Sequence, residues 1–401
     1  MHKNTKNKLF QNKVAYISDQ QYPIEKADSE QTMNTVSALA NAGLDIELII
    51  PRKWRDFLTP NQKLKERLLD FYHVKDGFQV TELMHLPLSP LRLEKYSHGL
   101  IAPIYAGISK HDIIYTRNPM SAQVGLALQK KVIFETYRIY DRFKLKIAKR
   151  LGRIACSPNL LAIISHSLPS KESLLQVGVP EEKLAVIPNG FNPEHLKPTL
   201  TKTVARQKLG WNEHDKMACY TGRLDMEKGV DSILDLAEKT PEIKYILIGN
   251  CQNDTDDRLQ KVASQKGLKN IQQLPWIATK ELSRYLFASD VLVIPPTAVP
   301  MRTHGKTVLP MKLFIYLAAG RPILAPALPD SRSVLNHENA ALVEPDNLLS
   351  AQKTIRRIFE DKTWAKGIAE QAKLDSQNYT WERRAQKIIE FLNERLQDYE
   401  S

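Results

Sequence analysis

Hydrophobic positions recur along the chain in two periods, one typical of buried strands and one typical of amphipathic helices. The chain opens with an apolar run at 14–18, a helical pattern at 29–42 and a second apolar run at 44–50. Strand, helix and strand in that order predict a βαβ unit, and therefore an α/β fold with a parallel sheet. A less regular Pro- and Lys-rich segment follows and ends in a helical pattern at 94–108. The alternation then continues with predicted strands at 112–116, 132–135, 161–165 and 184–187, and helices at 122–129, 141–154 and 168–176.

The second half of the chain repeats this alternation without a visible sequence repeat. Predicted strands lie at 217–221, 244–248, 271–274, 291–294 and 322–325. Pro188 and Gly190 interrupt the pattern where a domain boundary is expected. A chain of 401 residues predicts two domains. We therefore predict a Rossmann-like domain at 1–190, a second one at 191–385 and a terminal helix at 386–401.

The composition is that of a folded protein, with 42% hydrophobic and 25% charged residues. No apolar run approaches the length of a membrane span, and the basic, polar segment 1–10 has no apolar centre typical of a secretory signal. Cys156, Cys219 and Cys251 stand too far apart for a disulfide framework or a metal site. These features predict a cytoplasmic protein.

The net charge of +12 is uneven, because residues 1–195 carry 27 Lys and Arg against 19 Asp and Glu. The densest basic run lies between Arg138 and Arg153. Two interpretations of this run fit equally well. It is either a solvated helix face or a peripheral contact with anionic lipid or a lipid-pyrophosphate acceptor. No nucleic-acid-binding module accompanies the charge, so we expect no nucleic-acid partner.

A turn with two glycines and two cations follows the predicted strand at 217–221. Gly222, Arg223, Lys228 and Gly229 lie between this strand and a helical pattern. Such a turn lies at the carboxyl end of a strand, where ligands bind in open α/β sheets. Glycine lets the backbone approach a ligand, and a helix amino end with Arg and Lys favours an anion. An ordinary turn with solvated cations is the alternative to a diphosphate site.

The segment Tyr220–Asp231 closely resembles the G-R-L-x-x-E-K-G-x-D signature of the retaining glycosyltransferases of family 4. The resemblance implies the GT-B fold, in which two Rossmann-like domains face each other across a deep cleft and a last helix crosses back to the first domain. It also implies that Arg223 and Lys228 hold the diphosphate of a UDP- or GDP-sugar donor beside Gly222. Family members usually work without a metal, so neither a metal nor a further cofactor is expected.

A second block, 303–323, resembles the P-x-K-L-F-E-Y-L-A-x-G-x-P-I version of another family segment. Pro310 and Gly320 bound a short apolar helix. The free N–H groups at the start of this helix, on Val308, Leu309 and Met311, are expected to meet the donor phosphates. The side chains of Lys312, His304 and Lys306 are expected to supplement them.

This block departs from the family at two positions where most members carry glutamates. Thr307 replaces the glutamate that faces the sugar, and Ile315 replaces the one that binds the ribose. Because Ile315 cannot accept a hydrogen bond, the usual ribose contact is missing. Trp276 and Ile277 follow the predicted strand at 271–274, where relatives hold the base through backbone groups, although Trp276 also fits a core position.

In the first domain, Arg117, Glu135 and Tyr137 follow predicted strands and resemble family segments that contact the acceptor or the transferred sugar. Tyr137 replaces a histidine that many members have near the reacting sugar. Ser29 lies in a loop that binds substrate in relatives, and it also fits a helix cap. His166 follows a strand and either faces the ligand or has a structural role.

Retaining transfer of a sugar to a glycan or lipid-linked acceptor is the function that the resemblance implies, in cell-surface polysaccharide or glycolipid synthesis. The alternative is a degenerate, non-catalytic GT-B protein that scaffolds or regulates a partner enzyme. An epimerase or a phosphorylase on the same fold is less favoured, since no lysine site for pyridoxal phosphate is evident. The Asp-x-Asp pattern at 254–256 matches metal-dependent glycosyltransferases, but on a polar loop a helix cap is the more common role.

Overall fold

The computed structural model describes residues 8–52, 63–84, 93–140, 151–251, 256–303 and 309–400. The chain forms two compact units. Unit 1 contains Met1–Asn189 and Trp381–Ser401, and unit 2 contains Gly190–Thr380.

Unit 1 is built on a parallel sheet of seven strands in the order β3-β2-β1-β4-β5-β6-β7. The strands are β1 (Lys13–Ile17), β2 (Asp45–Arg52), β3 (Gln79–Met84), β4 (Ile113–Thr116), β5 (Lys131–Thr136), β6 (Leu160–Ser165) and β7 (Leu184–Val186). The central strands are buried along most of their length, as expected when helices cover both faces of a parallel sheet. The order reverses direction between β1 and β4, which is where ligands bind in open α/β sheets.

Helices connect these strands and cover the sheet. They are α1 (Ala27–Asn41), α2 (Leu64–Tyr72), α3 (Leu93–Ile108), α4 (Pro119–Ala127) and α5 (Leu168–Gln176). Residues 151–155 are also helical, whereas the basic residues 142–150 lie outside the described part of the chain.

Unit 2 has a parallel sheet of six strands in the order β10-β9-β8-β11-β12-β13. The strands are β8 (Lys216–Thr221), β9 (Ile243–Ile248), β10 (Ile271–Leu274), β11 (Val291–Val293), β12 (Ile323–Pro326) and β13 (Ala341–Val343). Its helices are α6 (Lys202–Leu209), α7 (Asp231–Lys239), α8 (Asp256–Gln265), α9 (Thr279–Ala288), α10 (Val299–Thr303), α11 (Lys312–Ala319), α12 (Leu348–Glu360) and α13 (Lys362–Ser376).

The terminal helix α14 (Trp381–Glu400) belongs to unit 1. Ala385, Ile388, Ile389, Leu392 and Leu396 repeat at helical spacing and join the core formed by α1 and the sheet. The chain therefore leaves unit 1 once, forms the whole of unit 2, and returns.

Several elements were absent from the sequence prediction, among them the helices α6, α12 and α13, which lie outside the span of the predicted strands of unit 2. The segment treated as irregular contains α2 and the edge strand β3, and the sheet of unit 2 has the short strand β13 at one edge. Strand β3 is half-exposed and β13 is only three residues long, so neither gives a clear hydrophobic pattern. Among the described helices, none combines the length and apolar character that crossing a bilayer requires.

Candidate active site

The turn after β8 is held by close backbone packing against the end of β9. Gly222 has φ +127° and Gly249 has φ +147°, conformations that favour glycine. A Cβ atom on Gly249 would overlap the carbonyl oxygen of Gly222. The N–H of Gly222 donates to the Ile248 carbonyl at 2.8 Å, and the N–H of Leu224 donates to the Asn250 carbonyl at 3.1 Å. The two strand ends therefore fix the backbone of this turn.

Arg223 and Lys228 project from this fixed turn. The Tyr220 hydroxyl donates to the carbonyl of Arg223 at 2.8 Å. The Arg223 guanidinium pairs with Asp225 at 3.3 Å, and 39% of its side chain remains exposed. Lys228 ends a short 3₁₀ turn that Gly229 closes in a left-handed conformation, φ +75°.

A third cation, Lys312, reaches the same turn from the start of α11. Its Nζ lies 3.7 Å from the centre of the Tyr220 ring. A Cβ atom on Gly222 would stand 2.5 Å from this Nζ, so the glycine makes room for the ammonium group. Burial, and next the positive charges of Lys228 and Arg223, hold the pKa of Lys312 well below its ordinary value. Three basic groups thus converge at the carboxyl end of β8.

Tyr316 ties α11 to this turn. Its hydroxyl accepts from the N–H of Thr221 at 2.8 Å and lies 3.1 Å from the Thr221 hydroxyl. The start of α11, with Lys312, is therefore held beside the end of β8. The helix begins at Lys312, two residues after the predicted start at Pro310.

The other predicted donor residues have different surroundings. Ile315 is only 8% exposed and belongs to the hydrophobic core of unit 2, which Ile277 and Leu309 also contact. Trp276 is 50% exposed, so the core position that its sequence also fitted is wrong. The backbone N–H of Trp276 donates to Asn250 Oδ1 at 2.9 Å. The remaining predicted residues, Thr307, Val308, His304 and Lys306, lie outside the described part of the chain.

In unit 1, Arg117, Tyr137 and His166 follow the adjacent strands β4, β5 and β6. The Arg117 guanidinium carbon lies 5.2 Å from the centre of the Tyr137 ring, and the rings of Tyr137 and His166 are 6.3 Å apart. Arg117 also pairs with Asp28 at 3.3 Å. Tyr137 is 37% exposed, whereas His166 is nearly buried. An aromatic ring, a cation and an imidazole thus share one edge of the sheet.

Glu135 lies beneath these groups and has no exposed surface. Its Oε1 accepts from Gln31 Nε2 at 2.6 Å and Arg384 Nη2 at 2.7 Å, and lies 2.6 Å from His166 Nε2. Its Oε2 accepts from the Tyr115 hydroxyl at 2.6 Å. Burial opposes ionisation, but Arg384, His166 and Arg117 together keep the pKa of Glu135 below its ordinary range. Because Glu135 is fully buried and bonded to these side chains, it can affect a ligand only by orienting them.

Arg384 is a member of this network that the sequence did not reveal. It lies on α14, 249 residues from Glu135, and only tertiary packing brings the two together. Arg383 and Arg384 are adjacent in the sequence, and only the second is buried. The helical spacing of the core residues Ala385, Ile388 and Leu392 places position 384 beside the buried face. This spacing is the sequence signal that could have predicted the burial of Arg384.

The helix-cap interpretation of Ser29 is wrong. Helix α1 begins at Ala27 with Lys26 as its cap residue, and no side chain caps this end. Ser29 lies inside the first turn and is fully buried, so its side chain presents no surface to a ligand. The described residues contain no group of three or more His, Cys, Asp or Glu able to hold a metal ion. Asp254 lies outside them.

Two parallel α/β units, one with a fixed glycine turn beside three basic side chains, place the protein in the class of α/β proteins with two Rossmann-like domains. Two family descriptions match the chain, "Glycosyltransferase Family 4" over residues 30–195 and "Glycosyl transferases group 1" over residues 201–375. The chain belongs to the family 4-like glycosyltransferases of the GT-B fold.

Curated relatives match most of the chain at low identity. An uncharacterised glycosyltransferase of Methanocaldococcus jannaschii is 27% identical over 71% of this chain and 75% of its own length. D-inositol 3-phosphate glycosyltransferase of Xylanimonas cellulosilytica is 20% identical over 88% of each chain. Alpha-galactosylglucosyldiacylglycerol synthase of Streptococcus pneumoniae is 26% identical over 55% of this chain and 57% of its own.

Solved structures share the fold over nearly the whole chain. Anabaena HepE in complex with UDP-glucose has a TM-score of 0.70 at 18% identity and covers 96% of this chain and 100% of its own. Sucrose-phosphate synthase of Thermosynechococcus elongatus has a TM-score of 0.76 at 18% identity with the same coverage. At such identities the likeness establishes the GT-B fold.

Proposed function

We propose that this glycosyltransferase moves a sugar from a UDP- or GDP-linked donor to a glycan or lipid-linked acceptor, with retention of the anomeric configuration. The observation that carries the proposal is the convergence of Arg223, Lys228 and Lys312 on the turn after β8. An ordinary solvated turn does not explain why Gly222 leaves space for a third, partly buried ammonium group. HepE, which shares the fold, was solved with UDP-glucose, and this supports a nucleotide-sugar donor.

The chemistry requires stabilisation of a leaving diphosphate. As the bond between the sugar and the β-phosphate oxygen breaks, negative charge develops on that phosphate, and nearby cations lower the energy of this state. Arg223 offers a fork of donors, whereas Lys228 and Lys312 act as point charges. Three cations supply the charge that a divalent metal provides in other transferases, so we propose transfer without a metal.

Replacement of the site cations tests the donor assignment. We expect Arg223→Ala and Lys228→Ala each to weaken UDP or GDP binding about tenfold or more, because a charge-assisted contact contributes about 1.5–3 kcal/mol. The melting temperature should change little, since both side chains are partly exposed. Lys366→Ala, on the exposed face of α13, is the matched control and should bind normally. Unchanged affinity in both site variants would remove the turn from the donor site.

We also propose that unit 1 contacts an anionic membrane, where a lipid-linked acceptor would be found. The outer face of α3 exposes Tyr96, Leu100, Ile101, Ile104 and Ile108, the last by 77%. This stretch carries no charged residue from Tyr96 to Ser109. Lys110 follows the helix and Lys130 lies beside Gly107. An exposed apolar helix face bordered by lysines fits the interfacial region of a bilayer.

Vesicle binding tests this contact. We expect the wild-type protein to sediment with phosphatidylglycerol vesicles and less with phosphatidylcholine vesicles. The double substitution Ile104→Glu and Ile108→Glu should abolish this binding, since it places charge in the apolar face. Leu349→Glu is the control, because Leu349 is 57% exposed on unit 2. A loss of self-association in the double variant, without any vesicle binding by the wild type, would instead assign the face to a second copy of the chain.

A non-catalytic scaffold is the second candidate function. The buried position of Ile315 favours it, because no hydrogen-bond acceptor for a ribose stands there. Thermal-shift screening with UDP-, GDP- and ADP-sugars separates the two functions. Stabilisation by one nucleotide class supports the transferase, whereas stabilisation by none supports the scaffold.

A further inference from the structure

The carboxylate of Glu135 lies at the centre of a buried network drawn from five separate elements of unit 1. Its partners are Gln31 on α1, Tyr115 on β4, His166 after β6 and Arg384 on α14. All four distances lie between 2.6 and 2.7 Å. A fully buried carboxylate with this many donors fixes the orientation of each partner.

Arg384 is held in its own place by three separate bonds. Its Nε donates to the Pro188 carbonyl at 3.1 Å, its Nη1 to Thr35 Oγ1 at 3.0 Å and its Nη2 to Glu135 at 2.7 Å. A lysine offers no such fork of donors from a planar group. The side chain is 2% exposed, so water cannot replace it.

Two relays lead from this ion pair to the ligand-facing edge of the sheet. In the first, Glu135 accepts from His166 Nε2. A carboxylate accepts hydrogen bonds, so Nε2 carries the proton and Nδ1 of a neutral imidazole is left as an acceptor.

In the second relay, Glu135 accepts from the Gln31 amide nitrogen, and this turns the amide oxygen toward Arg117. Arg117 Nη1 donates to that oxygen at 2.6 Å. The negative Glu135 and the positive Arg117 therefore determine which end of the Gln31 amide carries the nitrogen and which the oxygen. The same bond holds the Arg117 guanidinium beside Tyr137.

We propose that Arg384, acting through Glu135, is a positioning residue that sets the orientation of His166 and Arg117 at the edge of the sheet in unit 1. The inference rests on the proposed transferase function, in which these two groups face the acceptor or the transferred sugar. Arg384 itself touches no ligand.

The charges that surround His166 agree with this role. Glu135 on β5, Arg117 after β4 and Arg384 on α14 face it, together with the Tyr137 ring, and Tyr16 on β1 and Tyr115 on β4 face Glu135. Burial outweighs the attraction of Glu135 and lowers the pKa of His166, which favours the neutral imidazole. The positive charges of Arg384 and Arg117 add to this effect.

Nitrogen-15 NMR of histidine-labelled full-length protein tests the proposal without any substrate. The wild-type His166 ring, assigned with His166→Gln, should show a single neutral tautomer protonated at Nε2. In Arg384→Met the charge of Glu135 is no longer balanced, so His166 should acquire a second proton or lose its fixed tautomer. Arg384→Lys should restore the signal only in part. Arg383→Met, the exposed neighbour on the same helix, should match the wild type.

Hydrolysis of UDP-glucose, used as the probe donor, gives the functional measurement. Arg384→Met should lower the hydrolysis rate about tenfold or more, because misplaced ligand-facing groups cost rate. UDP affinity, which unit 2 provides, should stay within about twofold. Failure of the wild type to bind UDP or GDP would contradict the donor site and leave the tautomer measurement as the test of Arg384.

A second variant keeps the test decisive if Arg384→Met does not fold. Glu135→Gln combined with Arg384→Met removes both buried charges and leaves neither unpaired. We expect this variant to fold, with His166 in mixed tautomers and slow hydrolysis. A folded variant of either kind with the wild-type His166 signals and the wild-type rate would overturn the proposal.

Discussion

We expect the charge of Lys312 to depend on whether a diphosphate is bound beside it. Burial and the neighbouring cations lower its pKa, so at pH values above this lowered pKa the free protein carries the amine largely uncharged. A bound diphosphate favours the ammonium form and raises the pKa again. Binding therefore takes up a proton, and we expect nucleotide affinity to fall as pH rises from the lowered pKa toward that of the complex.

Calorimetry in two buffers of different ionisation enthalpy measures this proton uptake directly. The apparent binding enthalpy of UDP should differ between the buffers for the wild type. Lys312→Met should bind more weakly and show no such difference. An equal difference in both proteins would assign the proton to another group.

Ile315, for which the family resemblance implied a missing ribose contact, belongs to the core of unit 2. We expect Ile315→Glu to lower the free energy of unfolding by about 2–5 kcal/mol, because an unpaired carboxylate is buried there. Nucleotide binding should not improve. Ile315→Val, the control, should cost only about 0.5–1.5 kcal/mol. Tighter binding with an unchanged melting temperature would show instead that a ribose reaches this position.

At the scale of elements, the turn after β8 depends on two glycines that come from different strands. Gly249→Ala should lower the melting temperature and weaken UDP binding together, since its Cβ atom would push the Gly222 carbonyl away. The control is Gly210→Ala, which has φ +67° with no atom within 4 Å of the new Cβ. It should cost only about 1–2 kcal/mol, the strain of a left-handed alanine, and leave binding intact. Equal losses in both variants would show that backbone strain alone explains the effect at Gly249.

The sequence predicted most of this architecture because its informative signals are local. Parallel strands buried on both faces, such as β6 and β8, produce apolar runs that stand out. The turn after β8 has Gly222, Arg223, Lys228 and Gly229 within eight residues, whereas Gly249 and Lys312 reach it from distant parts of the sequence. The helix α2 was missed although Leu64, Leu68 and Tyr72 recur at helical spacing, because the surrounding segment is rich in lysine and proline. The Glu135–Arg384 pair could not be predicted, since its members are distant in sequence and their pairing depends on the packing of α14.

At the scale of the whole molecule, unit 2 is an insertion with adjacent ends. The N–H of Phe191 donates to the Tyr379 carbonyl at 2.9 Å, and Phe191 bridges to Thr380. Adjacent ends are typical of domains that fold independently. We expect the fragment 190–380 to fold alone and to bind UDP or GDP like the full chain. Calorimetry, with the Arg223→Ala fragment as control, checks this, and an unfolded fragment would contradict it.

The return of α14 to unit 1 has a consequence for the order in which the protein matures. The ribosome synthesises Arg384, one of the partners of Glu135, only after the whole of unit 2 has been made. Until then, the nascent unit 1 contains the carboxylate of Glu135 without the charge of Arg384. Unit 2, which is contiguous in the sequence, can already fold at that stage. We therefore expect a stop codon near residue 380 to leave unit 2 able to fold and to destabilise unit 1, although unit 1 is synthesised first.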